Sequence, residues 1–504
     1  MLKTKVRKRS FEAGGLIWLT LLACGPSFAQ PAPEVIRIDA DAPARPFPHF
    51  WEQMFGSGRA NLTMRESWRQ DLQTAKGVTD FRYVRFHDIF SDENGVYTEA
   101  TDGSSIYNWS YVDQIYDGVL AKGVRPFVEL SFMPRALAAS QTPHAFWYKP
   151  LPNPPRSYEK WGRLVEDFAR HLEDRYGADE VRLWYFEVWN EPNIDFWTGK
   201  PAQSTYFELY AAAAKALKVV DRRLRVGGPA TAQAAWVGDF IRYCATKDVP
   251  VDFVSTHVYG DDTAKDVLNN NEEISRAEMV ARAARKVYDE VKASPRPDLP
   301  IIWSEYNATY MNKVDITDSS FMGPWLANNI RLCDGLTTIM AYWSFSDVFE
   351  EQGVVKAPFY GGYGLIAAGS IPKAAFNAFA MLHRLGDQRL SPELKDALVT
   401  KRADGTLVIA VWNYADPGTG GEPKTFELQI SRGRMAEITV LDDQHGSALA
   451  EWRRMGSPAF PSREQQQTLR SAGRMPAPQV SPIDTGSLRL TLAPRGLVIV
   501  EVKP

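Results

Sequence analysis

Two glutamates, each at the end of a short apolar run, are the residues of this sequence best placed to do chemistry. In Trp184-Tyr185-Phe186-Glu187-Val188-Trp189-Asn190-Glu191-Pro192-Asn193 the polar pair Asn190-Glu191 arrives where the apolar run stops, and Pro192 removes the next ladder donor. Pro300-Ile301-Ile302-Trp303-Ser304-Glu305-Tyr306-Asn307 repeats the pattern with Glu305. Desolvating a carboxylate is costly unless it is paired or protonated, so each needs a reason to be there. One such acid is as often a structural partner for an arginine. Two, delivered by two strands, favour a shared mouth where one carboxyl gives a proton and the other acts ionised.

Strands must carry them there. Apolar runs fall at Trp51–Gly56, Tyr83–Phe86, Pro126–Leu130, Trp184–Val188, Arg225–Gly228, Phe253–His257, Ile301–Trp303 and Thr338–Ser344. Between them Tyr158–Tyr176, Thr205–Val220, Ile274–Val291 and Phe321–Asp334 place apolar residues at helical spacing. This alternation predicts an α/β chain built as a (β/α)8 TIM barrel, with its active site at the C-terminal ends of the strands. Glu191 and Glu305 would end the fourth and seventh strands. Arg85 and His87 follow the second, Glu129, Ser131 and Phe132 the third, His257 and Tyr259 the sixth, and Tyr342, Trp343, Asp347, Glu350 and Glu351 the eighth.

Composition excludes other chemistries. With 504 residues and a net charge of -3 there is no electrostatic footprint for nucleic acid or an anionic membrane surface. The seven histidines do not pair at metal-ligand spacings, so neither metal nor cofactor is expected. Gly361-Gly362-Tyr363-Gly364 lacks the Lys-Ser/Thr tail of a phosphate cradle, and a Gly-x-Ser-x-Gly elbow is absent. Carboxylate chemistry is left, and paired carboxyls suit glycoside hydrolysis. Aromatic neighbours such as Trp189 favour a protonated Glu191 as acid and an ionised Glu305 as nucleophile, although the residues alone leave the opposite assignment open. Cys244 and Cys333 read as core residues, a bridge between them not being deducible.

The N-terminus reads as export: a basic start (Lys3, Lys5, Arg7, Lys8, Arg9), then an apolar stretch, Gly14–Ala23, too short to span a bilayer. Ser27-Phe28-Ala29 resembles a cleavage site, giving a signal peptide over 1–29 and a periplasmic or extracellular product. Leu21-Leu22-Ala23-Cys24 instead resembles a bacterial lipoprotein box that would lipidate Cys24, with Leu22 a poor fit.

The motifs then match a known family. Phe55-Gly56-Ser57-Gly58-Arg59-Ala60, Arg82 to His87, Pro126 to Pro134, Trp189-Asn190-Glu191-Pro192-Asn193, Thr256-His257-Val258-Tyr259 and Trp303-Ser304-Glu305-Tyr306-Asn307 resemble glycoside hydrolase family 39, within the retaining (β/α)8 glycosidase clan. The resemblance implies Glu191 as acid/base and Glu305 as nucleophile, with Asn190 on the sugar 2-hydroxyl. It implies that His257 and Tyr259 line the subsite and help keep Glu305 ionised. His87, Phe132, Tyr310, Trp343, Glu350 and Glu351 would complete the walls. Trp343 to Glu351 is similar to the family's bacterial β-xylosidase pattern, and adjacent acids there suit a neutral pentose better than a uronate. The expected substrate is an oligosaccharide or polysaccharide fragment. α-L-Arabinofuranosidase, another family 39 activity on an exopolysaccharide, and a non-catalytic polysaccharide-binding protein are the rival readings.

Residues 46–386 would form the barrel. Past Gly386 short β-like runs at 397–414, 425–430, 436–441 and 487–502 predict a β-sandwich accessory domain over 387–504, with 30–45 supplying a linker and a first strand, Val35–Asp39. Ser457–Thr485, rich in Pro, Gln, Arg and Ser, reads as a long loop. An aromatic loop at Phe146-Trp147-Tyr148 would close one end of the cleft.

Overall fold

In a computed structural model, which describes residues 32–504, the eight apolar runs pair edge to edge as one closed parallel barrel. Its strands are β1 (Met54–Arg59), β2 (Tyr83–His87), β3 (Arg125–Leu130), β4 (Tyr185–Val188), β5 (Arg225–Thr231), β6 (Phe253–Tyr259), β7 (Ile301–Asn307) and β8 (Ile339–Tyr342). Each is hydrogen-bonded to its sequence neighbour and β8 closes on β1. The basic start, the apolar stretch and Cys24 lie outside the described residues. Among the described residues no helix is long and apolar enough to cross a membrane.

The helices form where the sequence places apolar stripes. Tyr158–Tyr176 begins at Ser157, whose hydroxyl caps the Lys160 N–H, and buries Trp161, Leu164, Val165, Phe168, Ala169 and Leu172 at three- and four-residue spacing. Gly177, at φ 84°, ends it in a conformation that other residues rarely adopt. Along each barrel strand alternate residues face the lumen. The lower lumen is apolar, with Met54, Phe127, Phe253, Ile302 and Ile339 in one cluster. Above it the same strands turn polar: Arg85, Glu129 and Glu187 are fully buried, the last two directly in register across β3 and β4.

One sheet after the barrel is antiparallel, with seven strands running Ala44–Pro46, Gln388–Leu390, Ala397–Lys401, Leu407–Trp412, Leu497–Val502, Met435–Leu441 and Gln479–Pro482 in spatial order. A three-stranded sheet, Glu34–Ile38, Lys424–Ile430 and Ser487–Leu492, covers it, the first described strand pairing parallel to Lys424–Ile430. Period-two alternation divides strand Leu407–Trp412: Leu407, Ile409 and Val411 pack between the sheets, while Val408, Ala410 and Trp412 join the barrel's core. At Gly323 a Cβ would meet Leu441 and Leu497 at 3.0 and 3.2 Å, a measure of how closely sandwich and barrel pack.

The segment 457–485 corrects the expectation of a loop. Ser462 and Gln465 form a capping box that starts helix Arg463–Ala472, and Gln479–Pro482 pairs with Met435–Leu441. Leu469 supplies the anchor, packing with Ile371, Ala448 and Leu449. Cys244 and Cys333 are both buried and free.

Candidate active site

A bulge puts Glu305 where it can act. Strict alternation along β7 would send Ile302 and Ser304 inward and Trp303 and Glu305 outward. Pairing with β6 instead jumps from Thr256–Trp303 to His257–Glu305, skipping Ser304, so Ser304 and Glu305 both reach the lumen. Glu191 is placed by a strained backbone: Trp189 (φ 73°) and Glu191 (φ 44°) are both left-handed, at about 1–3 kcal/mol each. The Trp189 indole donates to Phe196 O at 2.7 Å, and the Glu191 N–H to Ala230 O at 2.8 Å, which hold that turn.

Arg85 organises the charges. Its Nε donates to Glu187 Oε2 (2.6 Å), Nη1 to Glu305 Oε1 (2.6 Å) and Nη2 to Asn190 Oδ1 (2.9 Å), while Nη2 also pairs with the Glu129 carboxylate 2.7 Å away. The second oxygen of Glu305 accepts the Tyr259 hydroxyl at 2.8 Å. Burial opposes charge on His87, but Glu129, 2.7 Å from its Nδ1, overcomes this and pushes it up to about 10, so His87 is a second buried cation. Two cations thus face three carboxylates, and the cations favour the ionised form of a further acid, so burial is what holds one protonated here. Glu191 is that acid, burial pushing it up to about 7. His257, pushed down by burial to about 4, is neutral.

These groups border a cavity of about 400 Å³ at the strand ends. Of the residues expected from sequence, His87, Asn190, Glu191, Tyr259, Glu305, Tyr310, Trp343 and Glu351 line it. Three do not. Phe132 is fully buried behind the wall, its ring 6.1 Å from that of His87 and 5.4 Å from that of Trp189. His257 is sandwiched between Glu191 and Ser304, its Nδ1 2.9 Å from Glu191 and 3.8 Å from Glu305, so it serves Glu191 rather than Glu305. Glu350 is buried away from the cavity, because Arg59 (2.9 Å) and Arg65 (2.6 Å) take its two oxygens. Among the described residues no arginine pairs with Glu351, which faces His87 Nε2 at 3.6 Å.

The sequence reading missed Glu187 and Ser304. Glu187 carried a signal, being the one charge inside the apolar run of β4; Ser304 carried none, because its inward turn depends on the bulge. Phe146, Ile194, Phe196, Gln352 and Tyr363, which form the outer rim, come from loops. The histidines also group unexpectedly: His49, Glu52 and His383 meet near the N-terminal ends of β1 and β2, both Nδ1 atoms already at hydrogen-bond distance from Glu52.

Comparison with known proteins decides the family. The model for glycosyl hydrolases family 39 matches residues 34–486. The chain belongs to this family. It is 37% identical over 438 residues to a β-xylosidase of Geobacillus stearothermophilus, covering 84% of this chain and 86% of that protein. To a β-xylosidase of Caldicellulosiruptor saccharolyticus it is 35% identical, over 90% of this chain and 95% of the relative. A family 39 β-xylosidase structure from Caulobacter crescentus superposes with a TM-score of 0.81 at 33% identity, covering 94% of this chain and all of that one. As a family 39 member the chain is a glycoside hydrolase, which sets aside the binding-protein reading.

Proposed function

We propose that this family 39 enzyme is an exo-acting, retaining β-xylosidase. The observation that carries the mechanism is the spacing of its two acids: a carboxyl oxygen of Glu191 and one of Glu305 lie within 4.8 Å of each other. That supports the roughly 5–5.5 Å carboxyl separation of double displacement over the about 6.5 Å or more of an inverting enzyme. In the first step Glu305 attacks the anomeric carbon, the glycosidic C–O bond breaks, and Glu191 gives its proton to the leaving oxygen. In the second, Glu191 takes a proton from water, the water oxygen bonds to the anomeric carbon, and the ester to Glu305 breaks.

Arg85 and Tyr259 hold one oxygen each of Glu305, which fixes the nucleophile without protonating it. Asn190, oriented by Arg85, is set for the 2-hydroxyl, and His87 with Glu351 for hydroxyls farther round the ring. Trp343 offers its ring as a platform. The carboxylates around the pocket repel a uronate and support a neutral sugar. The backbone of Trp147 is tied to Glu351 O at 2.8 Å, so the aromatic loop closes one side of the pocket, which supports release of single sugars from a chain end. The N-terminal signal supports export, tested by the mass of the mature chain: an unprocessed Met1 terminus would refute it.

The test is hydrolysis of aryl β-xyloside, α-L-arabinofuranoside, β-glucoside and α-L-iduronide by wild type, Glu305→Ala and Glu191→Ala. Preference for the β-xyloside with retained configuration, no turnover by Glu305→Ala, and azide rescue of Glu191→Ala are expected. Preference for another glycoside would move the substrate, and full activity of Glu305→Ala would remove the nucleophile.

A further inference from the structure

Behind Glu191 runs a line of buried polar groups whose hydrogen-bond directions are fixed from one end. Arg85 Nε donates to Glu187 Oε2, and Ser304 Oγ lies 2.6 Å from Glu187 Oε1. A carboxylate has no proton to give, so the Ser304 hydroxyl donates there. A hydroxyl has one hydrogen. At its other contact, 3.1 Å from His257 Nε2, Ser304 can only accept, which places the imidazole proton on Nε2. A neutral imidazole then presents a lone pair at Nδ1, 2.9 Å from Glu191 Oε1, and the only hydrogen for that contact is the carboxyl proton of Glu191.

We infer that Ser304, anchored by Glu187, is a positioning residue that locks His257 in the Nε2–H tautomer and thereby keeps Glu191 protonated in the free enzyme. This rests on the reading of Glu191 as acid/base. Delivering the proton to a leaving oxygen breaks the Glu191–His257 bond. The carboxylate left behind faces a lone pair, which makes it a stronger base toward the water of the second step. Glu187, Ser304 and His257 have no exposed surface, so each lost partner is felt in full.

Other charges also act on Glu191. Arg85 and His87 on β2 favour its ionised form, while Asp195 beyond β4 and Glu129 on β3 disfavour it. Asp262 and Tyr259 from the β6 side, Glu351 after β8 and Glu305 on β7 complete its surroundings. None of these touches His257 Nε2. Changing Ser304 therefore alters the tautomer while leaving those charges in place.

Two measurements test this. The first is the pH profile of kcat/KM for wild type, Ser304→Ala, Ser304→Thr and Glu191→Ala, on xylobiose, whose leaving group needs a proton, and on 2,4-dinitrophenyl β-xyloside, whose leaving group does not. Without the lock His257 can move its proton to Nδ1 and stabilise ionised Glu191. The basic limb of Ser304→Ala on xylobiose should then fall by about 1 pH unit, the size of one neutral hydrogen bond. At pH 7 the loss on xylobiose should exceed that on the dinitrophenyl substrate by about fivefold, rising toward about tenfold at higher pH, and Ser304→Thr should restore the wild-type profile. Equal losses on both substrates with an unmoved limb would overturn the proposal and leave Ser304 a packing residue. The second is long-range ¹H–¹⁵N NMR of histidine-labelled wild type, His257 being assigned by its loss in His257→Asn. A proton on Nε2 with a bare Nδ1 is expected; a proton on Nδ1 overturns the proposal even if Ser304→Ala does not fold. Glu191→Ala separates the two levels: if it fails to discriminate between the substrates, the acid/base reading has failed, whatever the tautomer.

Discussion

The two ends of the barrel each gather a histidine–carboxylate group of three within 4.8 Å, and they do opposite things. Near the N-terminal ends of β1 and β2, the Nδ1 atoms of His49 and His383 lie 2.6 and 2.8 Å from the two oxygens of Glu52. Burial raises Glu52, but its bonds to His383 and His49 outweigh that and bring it below the usual range, and the Glu52 bond raises His383. Each side favours the charged form of the other, as in an ordinary structural clasp. At the C-terminal end, within the group of Glu191, His257 and Glu305, burial pushes Glu191 up and His257 down. All three residues of the upper group are buried, and its Glu305 shares one guanidinium with Glu129 and Glu187, whereas the His383 side chain is 45% exposed. Residue types are shared; what makes the upper group chemical is that burial outweighs the neighbouring charges at Glu191 and His257, whereas at Glu52 the histidine bonds outweigh burial.

The largest effect that would break this contrast comes from Arg85. Arg85→Met leaves three buried carboxylates without their shared cation, and removing one partner of a buried pair costs about 3–5 kcal/mol. The variant should be poorly folded and inactive by calorimetry and aryl xyloside turnover. Arg85→Lys should fold better yet lose at least about a hundredfold in kcat/KM, because an ammonium cannot bond to Glu187, Glu305 and Asn190 from one planar fork. Near-wild-type activity of Arg85→Lys would show that charge alone suffices.

Glu350 and Glu351 sharpen the contrast at the scale of one residue. Glu351→Ala, which removes a side chain lining the cavity, should cost about 10²–10³-fold in kcat/KM. Glu350→Ala should cost less than about tenfold in kcat/KM, because Glu350 does not line the cavity, and should instead show in stability, its pair with Arg59 being buried. The reverse order would mean that Glu350 turns inward when sugar is bound. The pH profile follows from the same separation. Glu191 must carry its proton, so kcat/KM should fall as pH rises through about 7, and a basic limb that stays flat to pH 9 would contradict it.

Much of this was legible because the signals were local. All eight strands follow from apolar runs alternating with helical stretches, the two glutamates stand where the fourth and seventh runs stop, and the barrel rule supplies a common mouth. What stayed hidden depends on contacts distant in sequence. That Glu350 faces away from the cavity while its neighbour faces in is decided by Arg59 and Arg65, nearly three hundred residues away. That Ser304 turns in is decided by the bulge against β6. Helix Arg463–Ala472 is a different failure: its Ser462-x-x-Gln465 signature was present, but the surrounding prolines and glutamines drew the reading to a loop.

The smallest expected effect lies at the clasp. His383 is raised, so its contribution to stability is fully present below its unfolded value of about 6.5 and is lost as pH rises through the higher folded one. Glu52 is lowered, so its contribution is present above about 4.3 and is lost as pH falls below that. The two overlap between those limits, and His383→Ala should destabilise most there. Because the His383 side chain is 45% exposed, solvent discounts the pair to no more than about 1 kcal/mol, near 1 °C in Tm for a chain of this length. At pH 9 the difference from wild type should shrink toward the packing loss alone, while kcat/KM stays within about twofold at every pH because no clasp residue reaches the sugar. A His383→Ala variant that lost activity without losing stability would make the lower group more than a clasp, and the distinction between the two ends would fail.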